Sequence, residues 1–183
     1  QFGPRSIGVW KGEGLGFYQQ EGYVRRFCHG FGSPNYFSND SACYNGRYLG
    51  NHLVCGFWNA FPEFGQAKLI MLIGTNPPIC HPTFMREFAD ARSKGAKLVM
   101  IDPRLNPVAC HADIFAQPSP GTDGALAWGL IRYLINTHNY DSDLVDRYTI
   151  GFEKIVAYAE KFTLEYVEQQ SGIYGGVVEK IAQ

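Results

Sequence analysis

The stretch that decides the fold is 69–104, which opens with LIMLIGTNPP (69–78) and closes with KLVMIDPR (97–104). The first apolar run is typical of a strand buried on both faces of a parallel sheet, and the second predicts another strand. The residues between them predict a helix from about Pro82 to Lys94, which ends at Gly95. The stretch therefore predicts a right-handed βαβ unit with two parallel strands.

Strands and helices also alternate on either side of this unit. We expect a strand over Ser6–Trp10 and a helix from about Gln19 to Phe31. A short strand over Ile114–Ala116 precedes a helix with apolar residues at helical spacing. From Asp141 onward the pattern predicts two or three surface helices. The expected fold class is α/β: a Rossmann-like three-layer domain with a largely parallel sheet, followed by surface helices, in one region over 1–183.

Composition excludes several classes of protein. The chain has 183 residues, 45% hydrophobic and 18% charged, which is ordinary for a globular domain. With 17 acidic and 16 basic residues, the net charge is −1. The chain therefore lacks the excess of basic residues that would indicate a nucleic acid partner. No apolar run is long enough to span a bilayer directly. The chain begins with Gln1 and shows no signal peptide, so we expect an internal segment of a longer chain.

Five cysteines are scattered along the chain without a Cys-x-x-Cys pair. This spacing argues against a disulfide framework and against a self-contained zinc or iron–sulfur site. We expect four of them to be small buried hydrophobes. Cys43 differs because it lies in a polar loop, where a thiol is free to ionise and to bind a soft metal.

Three polar loops follow the predicted strands, at 74–78, 102–104 and 120–123. In a doubly wound sheet, ligands bind beyond the carboxyl ends of the strands, so we expect these loops to share one binding edge. The loop Gly-Thr-Asn-Pro-Pro is not the Gly-x-Gly-x-x-Gly of nicotinamide enzymes, which disfavours an ordinary NAD site. The pattern favours a ligand that carries a nucleotide.

Individual residues in these loops have suitable chemistry, and each also has a structural alternative. Asp102 follows its strand directly, where an acid commonly binds ribose hydroxyls, and Arg104 could bind a phosphate through its guanidinium group. Gly121 allows close approach of the backbone to a ligand. Asp123 could accept two hydrogen bonds from the edge of a guanine. Alternatively, Asp102 only turns the chain and Asp123 only caps a helix.

Taken together, the motifs resemble the molybdopterin oxidoreductases of the DMSO reductase family. The resemblance covers nearly the whole chain and preserves the order of the family's motifs. It is carried by Gly32-Ser33-Pro34-Asn35, Ser41-Ala42-Cys43, Gly74-Thr75-Asn76-Pro77, Asp102-Pro103-Arg104 and Pro120-Gly121-Thr122-Asp123-Gly124. Each motif is weak by itself, and the ordered set is specific.

The resemblance implies a bis-molybdopterin guanine dinucleotide cofactor that holds Mo or W. Cys43 falls where the family's protein ligand to the metal belongs, which would make it the catalytic and metal-binding residue. The resemblance implies that Gly74, Thr75 and Asn76 contact a cofactor phosphate and that Asp102 and Asp123 contact the ribose and guanine. The further cofactor-binding residues expected in these loops are Pro77, Arg104, Gly121 and Thr122. Lys11 could reach the pterin or a phosphate, or lie in an exposed turn.

The sequence also departs from the family pattern. The family's 4Fe–4S cluster segment and its C-terminal cofactor domain are absent, so both are expected in a full-length parent and the segment alone should be inactive. The expected partners are the remainder of the catalytic subunit, an iron–sulfur electron-transfer subunit and a small-molecule substrate. Periplasmic and cytoplasmic locations are both compatible. The alternative is a non-catalytic, Rossmann-like module for guanine nucleotide binding or subunit interaction; a dehydrogenase fragment is a third option.

Overall fold

The computed structural model describes residues 2–12, 18–38, 44–57 and 62–183. The chain divides into two compact units, Gln1–Pro62 and Glu63–Gln183. The expectation that 1–183 acts as one cofactor-binding region therefore stays a prediction. No helix among the described residues is long and apolar enough to cross a membrane.

The described residues of the first unit form a two-stranded parallel sheet and two helices. Strands β1 (Val9–Lys11) and β2 (Tyr36–Ser38) pair in register, with Trp10 opposite Phe37. Helix α1 (Tyr18–Phe31) connects them, and helix α2 (Tyr44–Cys55) follows. The predicted strand over Ser6–Trp10 begins later than expected, because Pro4–Ser6 forms a 3-10 turn. The buried hydroxyl of Ser33 donates to the carbonyl of Ile7 at 2.6 Å and so joins the segments that lead into the two strands.

The second unit is built on a three-stranded parallel sheet. Its strands β3 (Leu69–Ile73), β4 (Lys97–Ile101) and β5 (Ile114–Ala116) lie side by side in chain order. Between β3 and β4 the chain forms a short helix, α3 (Pro77–Cys80), then a 3-10 turn at Pro82–Phe84 and helix α4 (Met85–Ser93). The predicted βαβ unit and the α/β class with parallel strands are confirmed.

Alternate residues of each strand point to opposite faces of the sheet. Because both faces carry apolar residues, helices pack on both of them. On one side, Ile70, Leu72, Leu98 and Met100 pack with Phe88 of α4. On the other, the strands pack against α5 (Asp123–Asn136), α8 (Leu164–Ser171) and α9 (Gly175–Ala182); this cluster comprises Val99, Ile101, Ala116, Leu126, Phe162, Val167, Ile173, Val178 and Ile181. The sheet is therefore the middle of three layers.

The C-terminal helices contribute more to the core than the sequence indicated. Four helices follow Asp141, namely α6 (Ser142–Tyr148), α7 (Phe152–Ala159), α8 and α9, where two or three surface helices were expected. Val167 of α8 and Val178 of α9 are fully buried. Of these four helices, α6 is the one without a buried residue, so it is the surface helix among them. Asp141 caps α6 as expected, because its carboxylate accepts from the backbone N–H of Leu144 at 2.9 Å.

Two further expectations need correction. Strand β3 was predicted to be buried on both faces, but Leu69, Met71 and Ile73 are exposed, since β3 is an edge strand. Among the cysteines expected to be buried, only Cys28 is; Cys55, Cys80 and Cys110 are exposed.

Candidate functional site

The three predicted loops follow the carboxyl ends of neighbouring parallel strands and therefore share one edge of the sheet. Backbone pairing continues into them: the N–H of Gly74 donates to Ile101 at 2.8 Å, and the N–H of Asp102 donates to Ala116 at 3.1 Å. This edge is where ligands bind in open α/β sheets. The loops after β3, β4 and β5 are here called the carboxyl-edge loops.

The loop after β3 leaves room for a ligand close to its backbone. Gly74 has a φ of +58°, which disfavours other residues, and a Cβ at this position would meet no atom within 4 Å. Pro77 is buried at the first position of α3, where its missing N–H costs nothing. The side-chain oxygen of Asn76 is buried and has no hydrogen-bond partner among the described residues. An unpaired buried acceptor costs about 1–3 kcal/mol.

The loop after β4 is organised by its own polar side chains. Asp102 is buried, and its carboxylate accepts from the backbone N–H of Arg104 at 2.7 Å and from the amide of Asn106 at 3.2 Å. The side-chain oxygen of Asn106 in turn accepts from the N–H groups of Val108 and Ala109. Such side-chain to backbone bonds fix a tight turn. The turn-forming alternative for Asp102 is therefore present in the structure.

Arg104 lies on the exposed side of this turn. Its neighbour Pro103 accepts a hydrogen bond from the side-chain amide of Gln117 at 2.7 Å, which links the loop after β4 to the loop after β5. The exposed position of Arg104 leaves the guanidinium group on the solvent side of the carboxyl-edge loops, where an anion could reach it.

The loop after β5 leads directly into α5. Gly121 has a φ of +85° with open space where a Cβ would be. The hydroxyl of Thr122 donates to the carbonyl of Ser119 at 2.6 Å, and Thr122 takes the N-cap position of α5 without a side-chain cap bond. Asp123 is exposed in the first turn of the helix. The expected alternative, in which Asp123 caps the helix, does not match its position one residue inside the cap.

Lys11 belongs to the first unit and has a partner there. Its amino group lies 3.0 Å from the carboxylate of Glu21, and both side chains are mostly buried. The hydrogen bond from Lys11, followed by that from Arg25, holds the pKa of Glu21 below its ordinary value. Cys43 lies outside the described residues, so its role stays a prediction. Among the described residues, no group of three or more His, Cys, Asp or Glu side chains is arranged to hold a metal.

Two cavities in the second unit lie beside the sheet, and the larger of the two includes Pro78 of the loop after β3 in its lining. One, of about 580 Å³, is at the edge of the sheet opposite the carboxyl-edge loops, with Leu69, Lys97 and Ile114 in its lining. The other, of about 610 Å³, lies between α4 and the 3-10 turn at Ala109–His111. Among the described residues, the buried side-chain oxygen of Asn76 is the acceptor of the carboxyl-edge loops that lacks a hydrogen-bond donor.

Sequence reasoning missed Asn106 and Gln117, which shape the carboxyl-edge loops. Asn106 precedes Pro107, and an Asn-Pro pair is a turn signal that could have indicated its role. Gln117 carries no comparable signal, because its contact with Pro103 spans 14 residues and depends on the pairing of β4 with β5.

Comparison with known proteins assigns the chain to a family. The model of the molybdopterin oxidoreductase family matches residues 20–170. The chain belongs to the molybdopterin oxidoreductase family. The chain is similar to the acetylene hydratase of Syntrophotalea acetylenica, with 32% identity over 100% of this chain and 25% of that protein. The molybdopterin-containing subunit of thiosulfate reductase from Salmonella typhimurium is 27% identical over 100% of this chain and 24% of its own length.

A solved structure agrees with the assignment to this family. The acetylene hydratase from Pelobacter acetylenicus superimposes with a TM-score of 0.75 at 29% identity, over 98% of this chain and 24% of that one. The chain therefore spans about a quarter of the length of the relatives it matches over its whole length. The resemblance inferred from the ordered motifs is confirmed.

Proposed function

We propose that this chain is the part of a Mo or W oxidoreductase that holds one arm of a bis-molybdopterin guanine dinucleotide, with Cys43 as the protein ligand to the metal. Membership of the molybdopterin oxidoreductase family supports the molybdopterin part of this proposal. The observation that carries the binding edge is the buried, unpartnered oxygen of Asn76 at the carboxyl end of β3. No described residue donates to this oxygen, and the backbone of Gly74 beside it has open space around it.

The carboxyl-edge loops fit a ligand rich in phosphate, hydroxyl and amide groups. Gly74 and Gly121 leave open space at two of the loops, so the backbone can come close to a ligand. Asn76 offers an acceptor to a ligand O–H or N–H. Arg104 would bind a phosphate, and the exposed carboxylate of Asp123 matches the two adjacent donors on the edge of a guanine. Thr75, Pro77 and Thr122 would shape the walls of the site.

Asp102 has a more specific part in the proposal. Its hydrogen bonds to Arg104 and Asn106 use one position on each carboxylate oxygen. An ionised carboxylate has about four acceptor positions, so two remain for a ribose hydroxyl. We assign Asp102 a structural role in the turn and propose the ribose contact as a second one.

When bound, the cofactor would supply the two-electron redox chemistry of atom transfer. The chain contributes orientation through the carboxyl-edge loops and a thiolate from Cys43, a soft ligand that suits the metal. Lys11, paired with Glu21 in the first unit, is proposed as a pterin or phosphate contact.

The relatives differ in the reaction that their names describe, so we propose no single substrate. One is named a thiosulfate reductase and another an acetylene hydratase. Because these relatives are about four times longer, the 4Fe–4S cluster, the second cofactor arm and an iron–sulfur electron-transfer subunit are proposed for the longer protein. The small-molecule substrate would bind over the metal.

The test is metal analysis of the full-length protein together with a cysteine variant. We expect about one Mo or W per chain, and loss of one sulfur ligand in the metal's X-ray absorption spectrum in Cys43→Ala. Activity should fall by more than about a hundredfold, because the loss of even a residue that only orients a metal ligand costs about 10-fold to 100-fold. Cys55→Ala is the matched control: Cys55 is an exposed cysteine of the first unit, and its variant should keep both metal and activity.

Two results would overturn this proposal. Absence of Mo and W from the full-length protein would remove the cofactor. An unchanged metal spectrum and activity in Cys43→Ala would remove the ligand. Tight binding of GDP by a metal-free protein would instead favour the non-catalytic guanine nucleotide-binding module.

A further inference from the structure

Asn106 is a buried side chain that takes no part in the proposed ligand contacts. It is 5% exposed, and so is Asp102, the residue proposed to contact the ribose. The amide nitrogen of Asn106 donates to a carboxylate oxygen of Asp102 at 3.2 Å. Buried polar side chains are nearly always hydrogen-bonded, so the partners of Asn106 indicate what it does.

The two ends of the Asn106 amide have different partners. Its oxygen accepts from the backbone N–H groups of Val108 at 2.9 Å and Ala109 at 3.1 Å. An amide oxygen only accepts and an amide nitrogen only donates, so these two N–H groups hold the oxygen and turn the nitrogen towards Asp102. The structure therefore fixes the direction of the bond between the two side chains: Asn106 is the donor and the Asp102 carboxylate is the acceptor.

The backbone of Asn106 holds the same turn from a second point. Its N–H donates to the carbonyl of Arg104 at 3.0 Å, and the N–H of Arg104 donates to the other carboxylate oxygen of Asp102 at 2.7 Å. Each oxygen of Asp102 thus has one donor from the turn. One buried residue is joined both to the carboxylate proposed for the ribose and to the backbone from which the Arg104 side chain extends.

We propose that Asn106 is a positioning residue for nucleotide binding, which fixes the Asp102 carboxylate in the orientation that meets the ribose before the ligand arrives. A side chain that is already immobilised spares the cost of ordering it on binding, which corresponds to about twofold to tenfold in affinity. This inference rests on the proposed function, because it requires a nucleotide at the carboxyl-edge loops.

A purely structural role for Asn106 would use only one end of its amide. The oxygen alone holds the N–H groups of Val108 and Ala109 at the start of the 3-10 turn. Asn106→Asp separates the two roles, because aspartate has the same shape and keeps an oxygen for these N–H groups. It replaces the donor to Asp102 by an acceptor, so two carboxylates face each other where the structure has a hydrogen bond.

The effect of Asn106→Asp on ligand binding should depend on pH. Two adjacent carboxylates repel each other when both are ionised, and they take up one shared proton more readily than a single carboxylate does. The shared proton restores a donor between positions 102 and 106. In full-length protein purified with its cofactor, we expect the variant to lose cofactor about twofold to tenfold faster than the wild type at about pH 8. The difference should shrink at about pH 5.

Cofactor loss after dilution is followed as guanosine monophosphate that remains bound per chain. Hydrogen exchange at the amides of Val108 and Ala109 supplies the readout that a purely structural role would move, and both amides should keep their wild-type protection in Asn106→Asp. The matched control is Asn139→Asp, which makes the same charge change at an exposed asparagine whose amide donates to the carbonyl of Ala182. This control should retain cofactor as the wild type does at both pH values.

Three results would overturn the positioning role while leaving the proposed function intact. They are equal cofactor loss in Asn106→Asp and the wild type, a faster loss that is the same at both pH values, and a faster loss accompanied by loss of protection at Val108 and Ala109. A wild-type protein that carries no guanosine monophosphate would instead overturn the proposed function, and this inference with it.

Discussion

At the scale of single residues, the unpartnered oxygen of Asn76 makes the cofactor proposal testable. Replacing Asn76 by Ala removes a buried acceptor that has no donor among the described residues. In cofactor-free full-length protein, we expect the thermal midpoint to stay the same or rise, because the desolvation cost is removed. In the same variant, cofactor affinity should fall about threefold to tenfold, as expected for one lost hydrogen bond.

The two readouts separate a ligand contact from a structural role. Differential scanning fluorimetry measures the midpoint, and metal content after dilution measures cofactor retention. Asn106→Ala is the control, because Asn106 holds the backbone of Val108 and Ala109 and its loss should lower the midpoint. An Asn76→Ala protein that is destabilised but retains its cofactor fully would contradict the assignment.

Asp113 gives a prediction for the dependence of stability on pH. Its carboxylate accepts from the backbone N–H of Leu98 at 2.7 Å and pairs with Arg92 at 2.6 Å. The bond to Leu98, followed by that to Arg92, lowers the pKa of Asp113. A carboxyl group with a lowered folded-state pKa stabilises the protein above its unfolded pKa, about 3.9. That contribution is lost as the pH falls through the folded-state pKa.

Asp113→Asn should therefore destabilise the protein at neutral pH and have a smaller effect in acid. Asparagine can still accept from Leu98, so the variant changes charge more than shape. Denaturant unfolding at about pH 7 and at about pH 3 and below measures the difference between the two proteins. A difference in unfolding free energy that stays constant over this range would contradict the assigned pKa direction.

Residue types and spacing predicted which loops meet, but not how their side chains are used. Asp102 and Asp123 were both assigned to ligand binding with a structural alternative. The structure gives Asp102 two hydrogen bonds within its own turn and leaves Asp123 exposed. The bonds to Asp102 come from the backbone N–H of Arg104 and the side chain of Asn106, whose positions depend on the path of the turn and not on a motif.

At the scale of elements, the apolar runs predicted β3 and β4 at their observed bounds. They could not predict that one face of β3 is exposed, because exposure depends on which elements reach that face. Helices α8 and α9 were underestimated for the same reason. Their buried residues, Val167 and Val178, lie in short amphipathic segments. The sequence pattern of such segments is the same whether the helix lies on the surface or packs against a sheet.

The packing of α5 on α8 gives a prediction at this scale. A Cβ at Gly129 would lie 2.5 Å from a methyl carbon of Val167. Gly129→Ala should therefore destabilise the protein by about 1–3 kcal/mol, although alanine favours helix formation. The β-branched Val167 has little rotamer freedom in a helix to relieve the contact. Denaturant unfolding followed by circular dichroism measures the change.

Gly124 in the same helix is the matched control. A Cβ there meets no atom within 4 Å, so Gly124→Ala should be neutral or stabilising by up to about 1 kcal/mol. The double variant Gly129→Ala with Val167→Ala should lose less free energy of unfolding than the two single variants lose together, because the smaller side chain at position 167 removes the clash. Equal effects of Gly129→Ala and Gly124→Ala would contradict the close contact.

At the scale of the whole molecule, the ordered motifs identified the family, and the fold provides the physical basis for a binding edge. A parallel sheet with three polar loops at one edge would favour a nucleotide-bearing ligand even without the resemblance. The assignment of the metal ligand has a different basis from that of the binding edge. Cys43 lies outside the described residues, and its role is inferred from the family alone. The carboxyl-edge loops, proposed to hold the dinucleotide, are therefore the part of the molecule where the proposed function has independent physical support.

The guanosine monophosphate released by acid hydrolysis of the purified full-length protein tests this claim most directly. We predict that the amount of guanosine monophosphate is proportional to the amount of bound Mo or W. The molar ratio of guanosine monophosphate to protein should be lower in Asp123→Ala than in the wild type. Asp143→Ala, which removes an exposed carboxylate paired with Arg147 on α6, should leave that ratio unchanged. Metal without guanosine monophosphate, or equal amounts in wild type and Asp123→Ala, would contradict the account.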